Sequence, residues 1–384
     1  MTDKQYELKG LSFDKKDLDI IRLDDLGERQ VCPGHIIFLS SKFDKPVLLM
    51  RAGDFVDPDF VKRYKEKGQE SFYIYSVSDD DNIAEFESLW TKLKVARLES
   101  ERLQARDNLL KRFADFFWYE HEDVCILDFY TACFNVFNRL SDDIIVEIRE
   151  TDTTLCERGI QLAAFSTVAA LAVGYTDFEV LSDVFHVAML LDYGLVGDKY
   201  SYFITQACEK ERLKPGAGLA YLQKNKRAKK DLKLFQEHPT TSHMKAFQKC
   251  YGAFYNLEMM KVLSFHHEQH DGSGFPNKVN YWGLSEIETI PILLDYSVPF
   301  AEVVYQPTTG GGILKQILDE AEDKGLYETL PVRKVYDRLT YEMSKALDEV
   351  VEDEEKELEE DILGNEEYET EDESEHEDSL DIGA

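Results

Sequence analysis

The run SFHHEQHDGSGFP, residues 264–276, gathers the ingredients of metal chemistry into one short stretch. His266 and His267 are adjacent, Glu268 and Asp271 add carboxylates, and Gly272, Gly274, Phe275 and Pro276 follow. Imidazoles and carboxylates together suit iron, manganese or zinc. Neighbouring residues on a helix point about 100° apart. Both rings therefore reach one ion only at a helix end, or through different ring nitrogens. Glycines just after Asp271 end such a helix and let the backbone turn closely. The residues alone leave three readings open: a metal-dependent catalytic site, the remnant of one, or a satisfied buried pair at a helix end.

Such side chains need a frame. Residues 121–345 read as successive amphipathic helices, with segments such as CILDFYTACFNVFNRL, GIQLAAFSTVAALAVG and FEVLSDVFHVAMLLDYGLV. Residues 1–78 differ. HIIFLSS, PVLLMRAG and SFYIYSV are short strand-like runs, and DPDFVKRYKEKG has an Asp cap, a first-turn Pro and a closing Gly. A small α+β domain is expected there. Residues 79–120 read as a connecting helix in which Leu89, Ala96, Leu103, Leu110 and Phe117 recur every seven positions. Ser100 and Asp107 interrupt the second apolar row, so residues 83–119 either pack on one partner or pair as a coiled coil in a homodimer. Residues 346–384 form an acidic tail, expected to be disordered because too few apolar side chains offset the entropy of ordering. The fold class expected is mainly α.

Charge narrows the partners. The 384-residue chain carries a formal net charge of -32, and the tail supplies more than half of it. Acidic protein disfavours duplex nucleic acid and anionic membrane, both polyanions. No apolar run approaches the roughly 18–20 residues that span a bilayer, and the start, MTDKQYELKG, shows no leader pattern. The six cysteines form no C-x-x-C pair and read as buried hydrophobes. A cytoplasmic protein is expected. The lysine-rich segment around 224–233 reads as a solvated face, with phosphates or the acidic tail as alternative contacts.

HHEQHDGSGFP resembles the HHExxDGxGYP signature of HD-GYP domains, helical bacterial metalloenzymes that hydrolyse cyclic di-GMP. AMLLDYGLVGD resembles the family's A-L-L-H-D-I-G-K-I-G segment. KPG at 214–216 and EHP at 237–239 resemble its K-P-G and H-P stretches, and Asp295 falls where the family has its V-A-D aspartate. The likeness covers roughly residues 150–300. In the family the HD aspartate bridges two metals. Carried over residue by residue, one ligand set is whole here: Asp192, His238, His266 and His267. The other keeps Asp295 and has lost its histidines, since Leu191 stands in the HD pair and Arg158 or Gly159 on the first helix.

Further departures bear on activity. Leu195 replaces the lysine after the HD pair, Phe275 replaces the tyrosine of GYP, and the basic residues expected after Asp295 are missing. The resemblance implies a degenerate HD-GYP-like domain with one transition metal (Fe, Mn or Zn), or a metal-free hydrogen-bonded cluster of the same residues. It implies a binding or scaffolding module in cyclic di-GMP signalling, with weak or no phosphodiesterase activity and Asp192 as the catalytic candidate. Glu268, Asp271, Gly272, Gly274, Phe275 and Pro276 form the loop expected to meet nucleotide or a signalling protein. An active phosphodiesterase with a reduced metal centre and an interaction module without nucleotide binding are the alternatives.

Overall fold

Period-two alternation in the first fifth of the chain gives way to helical periodicity after it, and the architecture follows. The computed structural model describes residues 5–40, 45–119, 124–197, 199–269, 271–279, 284–301, 303–328 and 332–372, with their side chains except at 5, 40 and 353–372. His270 of the motif and residues 373–384 of the acidic tail lie outside the described residues.

The N-terminal unit opens with a hairpin of β1 (Gln5–Leu8) and β2 (Leu11–Asp14). β3 (Asp19–Arg22), β4 (Gly34–Ser40), β5 (Lys45–Met50) and β6 (Ser71–Ser76) form an antiparallel sheet in the order β3-β6-β4-β5. Alternation along β6 sends Phe72 and Ile74 into a core with α1 (Leu23–Gly27) and α2 (Pro58–Glu66). Asp57 caps α2 by accepting from the Asp59 amide at 2.8 Å, and Pro58 starts it. The other sheet face packs Ile37 with Tyr6, Leu11 and Phe13 of the hairpin.

The connecting region is not one helix. It breaks into α3 (Asp80–Val95) and α4 (Glu99–Phe113), with Ala96 in extended backbone. Glu101 causes the restart: its carboxylate accepts from the amides of Arg97 at 2.9 Å and Leu98 at 3.0 Å, satisfying donors at the new N-terminus. The seven-residue row, which offered coiled-coil pairing in a homodimer as one alternative, is therefore broken, and Leu103 on it is exposed. Phe86, Trp90 and Leu93 face inward instead, against α5 (Ile126–Phe137).

α6 (Asp142–Thr151) leads into α7 (Thr153–Ala172), the helix about which the domain is built. Every residue of α7 from Leu155 to Ala172 is buried, and its alanines let neighbours approach closely. α8 (Phe178–Met189), α9 (Tyr202–Leu213), α10 (Ala217–Lys224), α11 (Leu232–Lys249), α12 (Val262–Phe265), α13 (Glu286–Ser297), α14 (Ile313–Asp323) and α15 (Arg333–Asp372) follow. α8 and α13 both pack on α7. α15 does not stop at 346. It continues through the acidic residues to Asp372, because Glu, Lys and Leu are good helix formers and Ala346 is still buried. No helix among the described residues is long and apolar enough to cross a membrane.

The N-terminal unit docks on α7 and on the segment after α13. Arg51 meets Glu157 at 2.5 Å, and His35 Nε2 lies 2.9 Å from the Tyr305 carbonyl. Near the other end of the domain, buried Glu211 on α9 accepts from the amides of Gly216 at 2.6 Å and Gly218 at 3.0 Å, holding the KPG turn. Burial outweighs those donors and pushes this carboxyl from 4.5 up to about 7. An acid raised in the folded state contributes stability that is full below about 4.5 and lost as pH rises through about 7. That loss amounts to about 3 kcal/mol at most, at ~1.4 kcal/mol per pH unit. Glu211→Gln is expected to flatten this fall across pH 4.5–8 in urea melts, while costing ~1–3 kcal/mol at low pH for the amide left without an acceptor. A variant that keeps the full wild-type pH slope would assign it elsewhere.

Candidate metal centre

Three elements converge on one buried point, and a fourth, α13, lies beside it. The turn after α8 carries Asp192, α11 carries His238, the end of α12 carries His266 and His267, and α13 carries Asp295. The three histidines are almost fully buried. One donor atom from each of Asp192, His238, His266 and His267 lies within 4.8 Å of every other. At metal–ligand bonds of about 2.0–2.2 Å, donors lie about 4.4 Å apart when trans and about 3.5 Å apart in a tetrahedron, so the set is near ligating distance and closes further around an ion.

The local backbone sets this meeting point. Ser242 of α11 accepts from the Gly194 amide at 2.7 Å and donates to the Leu191 carbonyl at 2.7 Å, clamping the turn that holds Asp192. Gly194 is required for that approach: a Cβ there would sit 2.1 Å from the His238 carbonyl oxygen. Gly274 has the same function in the signature loop, where a Cβ would lie 2.4 Å from the His267 carbonyl oxygen. The loop thus folds back on His267, and the Phe275 amide donates to that carbonyl at 3.1 Å.

Ring orientation follows from backbone anchors. His238 Nδ1 is 2.5 Å from the Phe235 carbonyl, and His266 Nδ1 is 3.0 Å from the Leu263 carbonyl. A carbonyl only accepts, so each Nδ1 carries a proton, and a ring with no second proton turns an Nε2 lone pair inward. Those two Nε2 atoms face each other at 3.1 Å. Two lone pairs at that distance need a cation or a shared proton between them. Burial, with the charge of His238 adding to it, holds the His266 imidazolium down to about 3. His267 is also held well below the usual range by burial, and neither of its ring nitrogens has a hydrogen-bond partner. A buried imidazole without a partner for its acceptor is costly. A transition metal suits this donor set, because it takes neutral imidazole lone pairs directly.

Asp192 faces two ways. Its Oδ1 lies 3.4 Å from His238 Nε2, and its Oδ2 accepts from Arg158 Nη1 at 3.1 Å. Burial opposes ionisation, yet the His238 hydrogen bond and the Arg158 charge outweigh it and draw the carboxyl down to about 2. Asp295 is pushed the other way, up to about 6, chiefly by burial and also by the Asp192 charge, against the attraction of Arg158. Its carboxylate is drawn to Arg158, whose Nη2 reaches Oδ1 at 3.0 Å, rather than into the histidine set.

The signature loop divides. Glu268 is buried and accepts from the amides of Asn277 at 2.6 Å and Val279 at 2.9 Å, so it holds the loop's shape. Asp271 is exposed and accepts from the Ser273 amide at 2.9 Å, Gly272 takes the left-handed φ of 76°, and Pro276 is half-buried. Phe275, expected on a contact surface, turns inward. Its ring stacks on His267 at 4.6 Å and joins Phe235 and Leu195 in an apolar cluster. Leu195 and Leu191 are likewise buried.

Arg158 was the residue whose importance the motifs did not convey. They marked it only as a missing histidine. The available signal was an arginine at the start of an otherwise apolar helix. Phe300, whose ring lies 3.8 Å from its guanidinium carbon, carried no signal at all.

No family model matches the chain, and no curated protein matches it. One solved structure, an HDG"Y"P protein from Bdellovibrio bacteriovorus, is similar over 84% of this chain and 98% of that one, at 18% identity and a TM-score of 0.36. So loose a superposition transfers no residue's role, and the site stands on its own geometry.

The clamp at Gly194 gives a direct check. Gly194→Ala must push the turn off α11 and take Asp192 from His238. A loss of ~1–3 kcal/mol in denaturant melts is expected from overpacking. Alanine at the exposed Gly252, which has open space for a Cβ, serves as control with little change. Equal melts for both variants would show that the turn yields freely.

Proposed function

We propose that this chain is a degenerate HD-GYP-type protein that holds one transition metal and acts as a binding or scaffolding module in cyclic di-GMP signalling. The observation that carries the metal is the pair of facing Nε2 atoms, 3.1 Å apart, beside the unpartnered nitrogens of His267. Asp192, His238, His266 and His267 hold the ion, and iron, manganese and zinc all accept such a set. A bound metal of this kind supplies Lewis acidity.

The surrounding residues favour retention over turnover. The histidines are buried, and the Asp192 side chain, 10% exposed, is the least enclosed of the set. Phe275 lies over His267, and Leu195 adds an apolar wall where an anionic substrate needs donors. Arg158 is committed to two carboxylates and two carbonyls, so its charge is not offered to a phosphate. The nucleotide and the protein partner follow from the signature's resemblance, with the exposed part of the loop at Asp271 and Ser273 as the contact surface.

Elemental analysis of protein purified without added metal is expected to give about one iron, manganese or zinc per chain, lost in His238→Ala and His266→Ala. Cyclic di-GMP should bind saturably in calorimetry yet turn over far below the ~1–10³ s⁻¹ usual for enzymes. Metal-free wild-type protein would leave a hydrogen-bonded cluster in place of the ion. Turnover within that range would make the chain an active phosphodiesterase, and no heat of binding would leave an interaction module without nucleotide.

A further inference from the structure

We propose that Arg158 is a resident cation standing where a second metal ion would bridge Asp192 and Asp295, so that the centre is limited to one ion. The inference rests on the reading of Asp192, His238, His266 and His267 as a metal site.

The guanidinium lies between the two carboxylates. Nη1 donates to Asp192 Oδ2 at 3.1 Å, and Nη2 donates to Asp295 Oδ1 at 3.0 Å and to the Asp295 carbonyl at 2.6 Å. The Val298 carbonyl accepts from Nε at 3.2 Å and from Nη2 at 3.1 Å. Phe300 covers the guanidinium face at 3.8 Å, and Arg158 is only 2% exposed. This pocket is built for the group, since edge and face are both matched.

Charge and shape then act together. Two carboxylates and one guanidinium leave a single net negative charge, which one divalent ion among the imidazoles more than neutralises. A second divalent ion has to enter the space the guanidinium fills, or displace it from carbonyls and carboxylates in a pocket almost closed to solvent. Arginine stays charged at any working pH, so the exclusion is permanent. Asp192 is also divided by this arrangement: Oδ2 belongs to Arg158, and only Oδ1 turns toward His238.

The test counts ions. Full-length protein is stripped of metal, saturated with Mn²⁺, desalted and analysed for manganese per chain. Electron paramagnetic resonance distinguishes isolated ions from exchange-coupled pairs. Wild type and Arg158→Lys, which keeps the charge, are expected to hold one isolated ion. Arg158→Gln is expected to hold two, coupled through Asp192. One ion in a folded Arg158→Gln, or two in wild type or Arg158→Lys, overturns the inference. No ion in wild type sinks the metal-site reading itself and the inference with it, an outcome distinct from one ion in both proteins, which leaves that reading intact. Should Arg158→Gln fail to fold by circular dichroism, Asp295→Asn decides. It is expected to retain one Mn²⁺ at wild-type affinity, because Arg158 rather than metal holds Asp295. A tenfold or greater weakening would place Asp295 among the ligands and overturn the inference.

Discussion

A buried guanidinium between two buried carboxylates is the constraint on which the rest depends. Arg158 ties α7 to the turn after α8 through Asp192, and to the end of α13 through Asp295 and Val298. Of these elements the α8 turn carries Asp192, the carboxylate of the candidate metal set. Breaking a buried ion pair by removing one partner costs about 3–5 kcal/mol, because the other charge is left uncompensated. Here one cation serves two anions, so its loss strands both. A lysine offers no planar fork to join Asp192, Asp295 and a carbonyl at once. The segment that closes over Arg158 has its own support: Glu209 of α9 accepts from the Phe300 amide at 2.9 Å, and Arg212 donates to the Ser297 carbonyl at 3.2 Å.

With Asp192 fixed from one side, the imidazoles are arranged from the other. Backbone carbonyls three residues earlier, at Phe235 and Leu263, fix the tautomers of His238 and His266, and the Gly274 turn presses Phe275 onto His267. The N-terminal unit leans on the same helix. Arg51 pairs with Glu157, next to Arg158 in sequence, so the docking of the sheet and the orientation of the central arginine share one turn of α7.

The parts that were legible in the sequence are those fixed by local rules. Strand runs at β4, β5 and β6, the Asp57-Pro58 helix start and the apolar helices follow from propensity and punctuation, and the signature histidines stand out through the resemblance their run bears to a known motif. What escaped depends on contacts distant in sequence. The heptad row at Leu89 and Ala96 is outweighed by Glu101, which supplies acceptors for a new helix start after a break at Ala96. Phe275 looks like a free ring in sequence, and only the closeness of His267 and Phe235 shows why it is buried. Arg158 reads as a missing ligand until Asp192 and Asp295 are seen on either side of it. The acidic run at 346 announces its charge plainly, yet composition conceals the helix that enters it from Arg333.

These features bear on one question, whether the site is built to react or to hold. A hydrolytic centre must admit an anionic substrate, offer donors to its phosphates and leave a reactive position open. This site fills its cationic position with a side chain whose donors are already engaged, and lines the approach with Leu195, Phe235 and Phe275. It leaves imidazole nitrogens without protein partners at the deepest point, where an ion satisfies them and a large substrate does not reach. Each of these choices favours the proposed ion over the breaking of a phosphodiester bond, for which no free donor is added. Catalysis requires interactions stronger in the transition state than in the ground state. An arrangement that satisfies its charges internally in the ground state keeps few groups free for a reaction, and this is the ground on which we propose that Asp192, His238, His266 and His267 hold an ion rather than put it to work.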